Sequence, residues 1–175
     1  MYIWIACSVD DSYTDARRRA LKENESLMLD TKAFSLPAHI SLKISFFVPD
    51  DLADNVITTV REYLINAPHF SVHNPEIEQN GSILWIGYSP CEELEILHRE
   101  LDTLLLDRHG IEQHPFDRCF KFHTTLFIDE RVELVSLMRE RLSDLVLPDI
   151  VPVGEYIIGT SDSGKAGEYS VKFVI

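Results

Sequence analysis

Two histidines stand in similar local sequences about half a chain apart. His39 begins the segment His-Ile-Ser-Leu and His123 begins the segment His-Thr-Thr-Leu. A hydroxyl side chain, Ser41 or Thr125, therefore follows each histidine by two positions. Because imidazole titrates near neutral pH, two histidines can supply both a general base and a general acid. Hydroxyl donors beside them could hold charged phosphate oxygens, so the pattern indicates acid–base chemistry on a phosphate ester.

Both motifs lie in runs that alternate as β-strands do. The runs are HISLKISFFV at 39–48 and FKFHTTLFI at 120–128. Since successive strand side chains point to opposite faces of a sheet, each histidine shares a face with the hydroxyl two residues on. The other face of each run is mostly apolar and is expected to pack on a core. We therefore predict two strands that each present one histidine and one hydroxyl.

Two lysines fall on the same predicted faces. Continued alternation places Lys43 beside His39 and Lys121 beside His123, where either lysine could contact a phosphate. The placement is not symmetric, because Lys43 follows its motif and Lys121 precedes its own. The residue equivalent to Lys43 in the second strand is Phe127, which could stack on a base. Both lysines are predicted phosphate ligands, and a solvated strand lysine is the alternative for each.

The rest of the chain alternates between candidate strands and helices. Strands are predicted at 2–9, 39–48, 70–77, 83–88, 120–128, 153–159 and 169–175, and helices at 15–29, 52–65, 92–107 and 130–146. Short connections, several of the hairpin type, indicate an α+β fold with antiparallel sheet. The two halves are similar in outline and no long linker separates them. Residues 1–175 are therefore expected to form one domain.

The two four-residue motifs resemble those of the 2H phosphoesterase superfamily, which includes bacterial 2′,5′ RNA ligases and 2′,3′-cyclic nucleotide phosphodiesterases. The strand GSILWIGY before the central helix and the strand at the C-terminus fit the same pattern. The resemblance implies two pseudo-symmetric lobes of antiparallel sheet, with helices outside and a central cleft. It implies that His39 and His123 are catalytic and that Ser41 and Thr125 bind phosphate.

The expected activity is metal-independent hydrolysis of 2′,3′-cyclic phosphates of a small nucleotide or a short RNA end. One imidazole takes a proton from water while the other protonates the leaving oxygen, so no metal or other cofactor is required. Which histidine is the acid stays open. The alternatives are the reverse RNA 2′,5′-ligase reaction, a non-catalytic protein that binds an RNA end in a 2H-like cleft, and an unrelated interaction protein with a basic partner.

Charge and composition limit the partners and the compartment. The 175 residues include 16 Lys and Arg against 29 Asp and Glu, which gives a net charge of −13. Such a surface repels long nucleic acid, since affinity for nucleic acid comes mainly from basic residues on phosphates. Three widely spaced cysteines without a CxxC pair predict reduced thiols and a cytoplasmic protein. No apolar run is long enough for a membrane span, the start lacks a basic leader, and a monomer is expected.

Other patterns carry weaker signals. Residues 159–165 match GxxxxGK, but Ala166 stands where a phosphate loop needs Ser or Thr, so a hairpin turn that could border the cleft is expected. Arg17–Arg19 stand among acidic residues and are expected on a solvated helix face. Trp4 and Trp85 are expected in the core. The following residues lack zinc-ligand spacing and are expected to be structural or exposed: His69, His73, His109, His114 and Cys119.

Overall fold

The chain folds into antiparallel sheets and helices, as its pattern of strands and helices predicts. The structure, a computed structural model, describes residues 1–9, 13–161 and 163–175, except for the side chain of Cys119. The elements are β1 Tyr2–Val9, α1 Thr14–Asn24, β2 His39–Phe47, α2 Asp50–Leu64, β3 Ser71–His73, β4 Glu76–Asn80, β5 Ile83–Gly87, α3 Glu92–His109, β6 His123–Ile128, α4 Val132–Arg141, β7 Ile150–Ser161 and β8 Ser170–Val174. Short 3₁₀ helices, Lys32–Ser35 and Pro115–Cys119, precede β2 and β6.

The two histidine strands belong to different sheets. The first sheet has the order β2–β1–β7–β3, with β8 also paired to β7, and the second has the order β4–β5–β6. Both β2 and β6 lie at the edge of their sheet, and these two edges contact each other. The antiparallel α+β class is confirmed. Because β2 and β6 meet, their motifs are brought to the junction between the two sheets.

One apolar cluster packs the two sheets against the helices. Its buried members include Ile5, Ile40 and Leu42 of the first sheet, Leu84, Ile86 and Phe127 of the second, and Val56, Leu97, Leu101 and Met138 of the helices. A smaller buried cluster of Trp4, Ala6 and Ile157 lies on the opposite face of the first sheet. We call that face, together with the face of the second sheet that carries Trp85, the cleft face.

Three predicted elements differ from the structure, one of them the helix predicted at 130–146, which ends at Arg141; the other two differ for clear local reasons. The helix predicted at 15–29 ends at Asn24, whose side chain both donates to and accepts from the Leu29 backbone and so closes a turn. The strand predicted at 70–77 is divided into β3 and β4, which lie in different sheets. Asn74 between them has a φ of 48°, a left-handed conformation that interrupts an extended strand.

Candidate active site

A β-bulge in β2 separates Lys43 from the histidine face. Ser41 pairs with Ala6 of β1, on the cleft face, whereas Lys43 pairs with Ile5, so β2 has one extra residue between these pairs. A bulge of this kind shifts the alternation of the strand. Ile5 faces the main core, and Lys43 is accordingly 1% exposed. The prediction that Lys43 shares a cleft face with His39 and contacts phosphate there is therefore wrong.

Lys43 instead forms a buried ion-pair cluster behind the cleft. Its Nζ contacts the fully buried carboxylate of Asp117 and lies 2.6 Å from Oδ1 of Asp102 in α3. The ring of His98, one turn before Asp102, has nitrogens 2.7 Å from the Leu42 carbonyl oxygen and 3.1 Å from that of Asp117. The cluster thus joins β2 to α3 and to the 3₁₀ helix that precedes β6.

A second bulge follows the motif in β6. Thr125 pairs with Trp85 of β5, whereas Phe127 pairs with Leu84, which again leaves one extra residue between the two pairs. Leu84 belongs to the main core, and Phe127 is fully buried there. The prediction that Phe127 shares the face of His123 and could stack on a base is wrong for the same reason. The two strands therefore depart from alternation at equivalent positions.

His39 packs against Trp4, with ring centroids 4.5 Å apart in an edge-on arrangement. Its Nδ1 lies 2.9 Å from the Pro37 carbonyl oxygen. Because a carbonyl only accepts, Nδ1 carries the proton and Nε2 keeps its lone pair when the ring is neutral. Burial is the main cause that lowers the pKa of His39 to about 4; the charges of Arg17 and His123 act in the same direction, and the hydrogen bond to the Pro37 carbonyl opposes them. His39 is therefore neutral at pH 7.

His123 has a corresponding environment in the second sheet. Its ring centroid lies 4.6 Å from that of Trp85, and its Nδ1 lies 2.6 Å from the Lys121 carbonyl oxygen. Nδ1 therefore donates here too, which leaves Nε2 as the basic atom. Burial and the charge of Lys121 lower the pKa of His123, while the hydrogen bond to the carbonyl and the carboxylate of Glu78 act in the opposite direction.

The two hydroxyls of the motifs lie on the cleft face and can act as donors. Trp4 donates from Nε1 to Ser41 Oγ at 3.0 Å, which leaves the Ser41 proton for another acceptor. Within the described part of the chain, the Thr125 hydroxyl has no hydrogen-bond partner. Its neighbour Thr124 points away and forms a 2.6 Å hydrogen bond with the Tyr88 hydroxyl. Each motif thus keeps one hydroxyl donor for a ligand.

A cavity of about 800 Å³ adjoins His39 and Thr125. One wall is the 3₁₀ helix Lys32–Ser35 with its neighbours, and the other is the connection between β7 and β8 at 163–170. The predicted hairpin turn therefore borders this cavity, although its residue 162 lies outside the described residues. The cavity connects the first motif with space for a group larger than phosphate.

Lys121 lies beside His123, but its charge is already paired. Its Nζ contacts the carboxylate of Glu78 and lies 5.5 Å from the centroid of the Trp85 ring. The side chain is 53% exposed, in contrast to that of Lys43. Contact between Lys121 and a phosphate stays a prediction.

Arg17 is a residue of the site that sequence reasoning missed. Arg18 is exposed and pairs with Asp15, as a solvated helix face predicts, whereas Arg19 is half-buried and pairs with Asp144. Arg17 is also half-buried and donates from Nη2 to the Leu36 carbonyl oxygen at 2.8 Å. Its position three residues before the buried Ala20 was the available signal, because residues three apart share a helix face.

The described residues contain no group of three or more His, Cys, Asp or Glu side chains arranged to hold a metal ion. His109 and His114 have local partners instead, the Thr59 hydroxyl and the Phe116 backbone N–H. Cys7 is a buried free thiol, and burial raises its pKa to about 12. Among the described helices, none is long and apolar enough to cross a membrane.

The fold and the paired histidine strands define a two-histidine phosphoesterase-like protein, and comparison with known proteins identifies the family. The model of the 2′-5′ RNA ligase superfamily matches residues 13–151, a range that contains both motifs. The chain belongs to this superfamily, as the two motifs predict. Comparison with curated protein sequences finds no match.

Solved structures of the same superfamily share the fold at low sequence identity. LigT of E. coli, solved in complex with NADP+, is 16% identical with a TM-score of 0.62, over 98% of this chain and 94% of LigT. TT0787 of Thermus thermophilus is 14% identical with a TM-score of 0.62, over 100% of this chain and 97% of TT0787. Usb1 of Kluyveromyces marxianus is 14% identical with a TM-score of 0.51, over 98% of this chain and 96% of Usb1. LigT has also been solved with 3′-AMP and with ATP.

Proposed function

We propose that this protein is a metal-independent phosphoesterase that hydrolyses 2′,3′-cyclic phosphates of small nucleotides or short RNA ends. The observation that carries the proposal is that His39 and His123 have the same tautomeric state. Each ring donates from Nδ1 to the carbonyl two residues earlier and keeps Nε2 as its basic atom. Family membership and the small nucleotides bound by LigT support the same substrate class.

His39 is proposed as the general base and His123 as the general acid. His39 is neutral in the free protein and is flanked by a cation, Arg17, so its Nε2 is available to take a proton from water. The carboxylate of Glu78 favours the protonated form of His123 against the opposing charge of Lys121, and a bound phosphate anion adds to the effect of Glu78. Of the two histidines, only His123 has a carboxylate among the groups that set its pKa, which is the direction that an acid role needs.

The reaction balances with these two residues. The oxygen of water forms a new bond to phosphorus, and the proton of water passes to Nε2 of His39. The bond from phosphorus to the 2′ or 3′ oxygen breaks, and that oxygen takes a proton from Nε2 of His123. Ser41 and Thr125 donate hydrogen bonds to the non-bridging oxygens, where negative charge is held in the transition state.

The cavity beside His39 is proposed to hold the nucleoside. Its volume of about 800 Å³ lies within the range of small-molecule sites. Its walls carry hydroxyl groups of Ser35 and Ser163, and the carboxylates of Asp30 and Glu168 lie there with the single ammonium of Lys32. This composition suits a nucleoside better than a further phosphate. A long RNA would meet the same net negative charge over the whole surface.

A direct assay tests this function. The purified protein is incubated in EDTA with nucleoside 2′,3′-cyclic phosphates, cyclic-ended RNAs and ADP-ribose cyclic phosphate, and the 2′- and 3′-phosphate products are resolved. His39→Ala and His123→Ala are each expected to lower turnover by about 10²-fold or more while the fold persists. His73→Ala, which changes an exposed strand histidine, serves as the matched control. Undiminished turnover in both motif variants contradicts the proposed roles.

The same assay separates the two alternatives. A 5′-hydroxyl could take the place of water: its oxygen bonds to phosphorus, its proton passes to Nε2 of His39, and the leaving 3′ oxygen takes a proton from Nε2 of His123, which gives a 2′,5′ linkage. A joined product from two RNA fragments would identify a ligase. Measurable affinity for a cyclic nucleotide without any product would identify a binding protein instead.

A further inference from the structure

Arg17 lies where α1 meets the segment that leads into β2. Its Nη2 donates to the Leu36 carbonyl oxygen at 2.8 Å. Its guanidinium carbon lies 5.2 Å from the centroid of the Phe34 ring, a cation–π distance. Phe34 in turn packs on Phe127 of the second sheet, with ring centroids 5.1 Å apart. Arg17 therefore lies over the junction of the two sheets, although Arg18, the next residue, is exposed.

The charge of Arg17 is not neutralised by a carboxylate of the described residues. Several other basic side chains pair with acids: Arg18, Arg19, Lys32, Lys43, Lys121 and Arg131. Burial is the cause that lowers the pKa of Arg17, and no acidic neighbour offsets it. Other basic side chains of the described residues also lack a carboxylate partner, and Arg17 differs from the exposed ones among them by its half-buried place at the junction of the two sheets. The guanidinium also has donors beyond the one that Leu36 accepts.

A short path connects Arg17 to His39. Arg17 holds the carbonyl of Leu36, and the next carbonyl, that of Pro37, accepts the Nδ1 proton of His39. Arg17 therefore holds the peptide group next to the one that fixes the tautomer of His39. The charge of Arg17 also acts through space, because it is among the causes that lower the pKa of His39.

We propose that Arg17 is a positioning residue for His39 and supplies the positive potential that favours a phosphate anion beside it. The second half of this statement rests on the phosphoesterase function proposed above, and the first half does not. The groups that face His39 from other elements are His123 of β6 and, on the cavity walls, Asp30, Lys32 and Glu168. Lys32 is paired with Asp30, whereas Arg17, whose charge acts on His39, has no carboxylate partner among the described residues.

The experiment compares Arg17→Met with Arg18→Met. Both variants remove one positive charge from α1, but Arg18 is exposed and paired with Asp15. Histidine ring protons are followed by NMR against pH in the free protein, and binding of inorganic phosphate is titrated at pH 7. In Arg17→Met the His39 midpoint is expected to rise by about half a pH unit or more, because a nearby like charge is lost.

The control variant and the other histidine make the result specific. The His39 midpoint is expected to stay at its wild-type value in Arg18→Met, and the His123 midpoint is expected to stay in place in both variants, since Arg17 is not among the causes of its shift. Phosphate binding is expected to weaken about tenfold in Arg17→Met and less than twofold in Arg18→Met, as for loss of one charged hydrogen-bonding group. An Arg17→Met protein whose His39 midpoint and phosphate affinity match those of Arg18→Met overturns the proposal.

A second variant covers the case in which Arg17→Met does not fold. Arg17→Gln retains a side-chain donor toward the Leu36 carbonyl but lacks the charge, so the upward shift of the His39 midpoint is expected in this variant as well. An unchanged midpoint in folded Arg17→Gln overturns the electrostatic part. The NMR titration uses no substrate, so a wild-type protein without phosphoesterase activity contradicts the proposed function and not the link between Arg17 and His39.

Discussion

Replacing Lys43 by Met should destabilise the protein and leave catalysis intact. Lys43 is 1% exposed and neutralises the buried carboxylates of Asp117 and Asp102. Removing one partner of a buried ion pair leaves an uncompensated charge and costs about 3–5 kcal/mol. For a chain of this length, 1 kcal/mol corresponds to about 2–4 °C in Tm. The expected loss is therefore about 6–20 °C, which scanning calorimetry and urea denaturation measure.

Lys121→Met is the matched control for this experiment, since both lysines were predicted phosphate ligands. The ion pair of Lys121 with Glu78 is half-exposed, so its loss should cost less than about 1 kcal/mol. Steady-state kinetics are measured below the lowest Tm, where Lys43→Met should retain the wild-type KM for a cyclic phosphate. A Lys43→Met protein with wild-type Tm and a raised KM would refute the buried position of this side chain and restore its predicted contact with phosphate.

Three further results are expected. The pKa of His39 falls from 6.5 in the unfolded chain to about 4 in the folded one. The free energy of unfolding should therefore fall by about 3 kcal/mol as the pH falls from 7 to 4, because the unfolded chain binds the proton more tightly. Urea denaturation of the wild type and of His39→Gln at both pH values measures this difference. Gly159→Ala places a Cβ 2.6 Å from the Trp4 ring, so it should displace Trp4 and lower turnover, whereas unchanged kinetics with an unmoved Trp4 resonance would contradict this. Tyr88→Phe removes the hydroxyl that bonds Thr124 and should lower the free energy of unfolding by about 1 kcal/mol in chemical denaturation.

The sequence was enough to predict that each histidine shares a strand face with the hydroxyl two residues on. It was not enough to predict where along each strand this shared face ends. Alternation over two residues was enough to place Ser41 with His39 and Thr125 with His123. It failed at Lys43 because the bulge is set by pairing with β1, and a strand's own sequence does not contain its register against a neighbour. Alternation therefore holds only as far as the pairing stays regular.

Contacts between distant segments explain why the sequence did not indicate Arg17 as a residue of the site. Arg17 was grouped with its two neighbours because charge in a short window indicates a solvated face. Its partner is a carbonyl 19 residues away, in a segment without regular alternation. The solvated surface expected for helix α1 is correct for Arg18, whereas Arg19 is half-buried and contacts Arg141 and Asp144. Half-buried positions at the border of a helix face need the tertiary structure for their assignment.

The paired bulges limit how much of the substrate the two strands can touch. After each hydroxyl the strand turns its next alternate side chain, Lys43 or Phe127, into the interior. Residues two apart in a strand are separated by about 7 Å, so each strand offers a length comparable to one phosphate group. For the proposed nucleotide substrates, the features that distinguish one nucleotide from another must then be sensed by the surrounding loops. Substrate preference can consequently change through insertions at 30–36 or 163–170 while the reacting centre is unaltered, which makes these loops the natural targets for redesign.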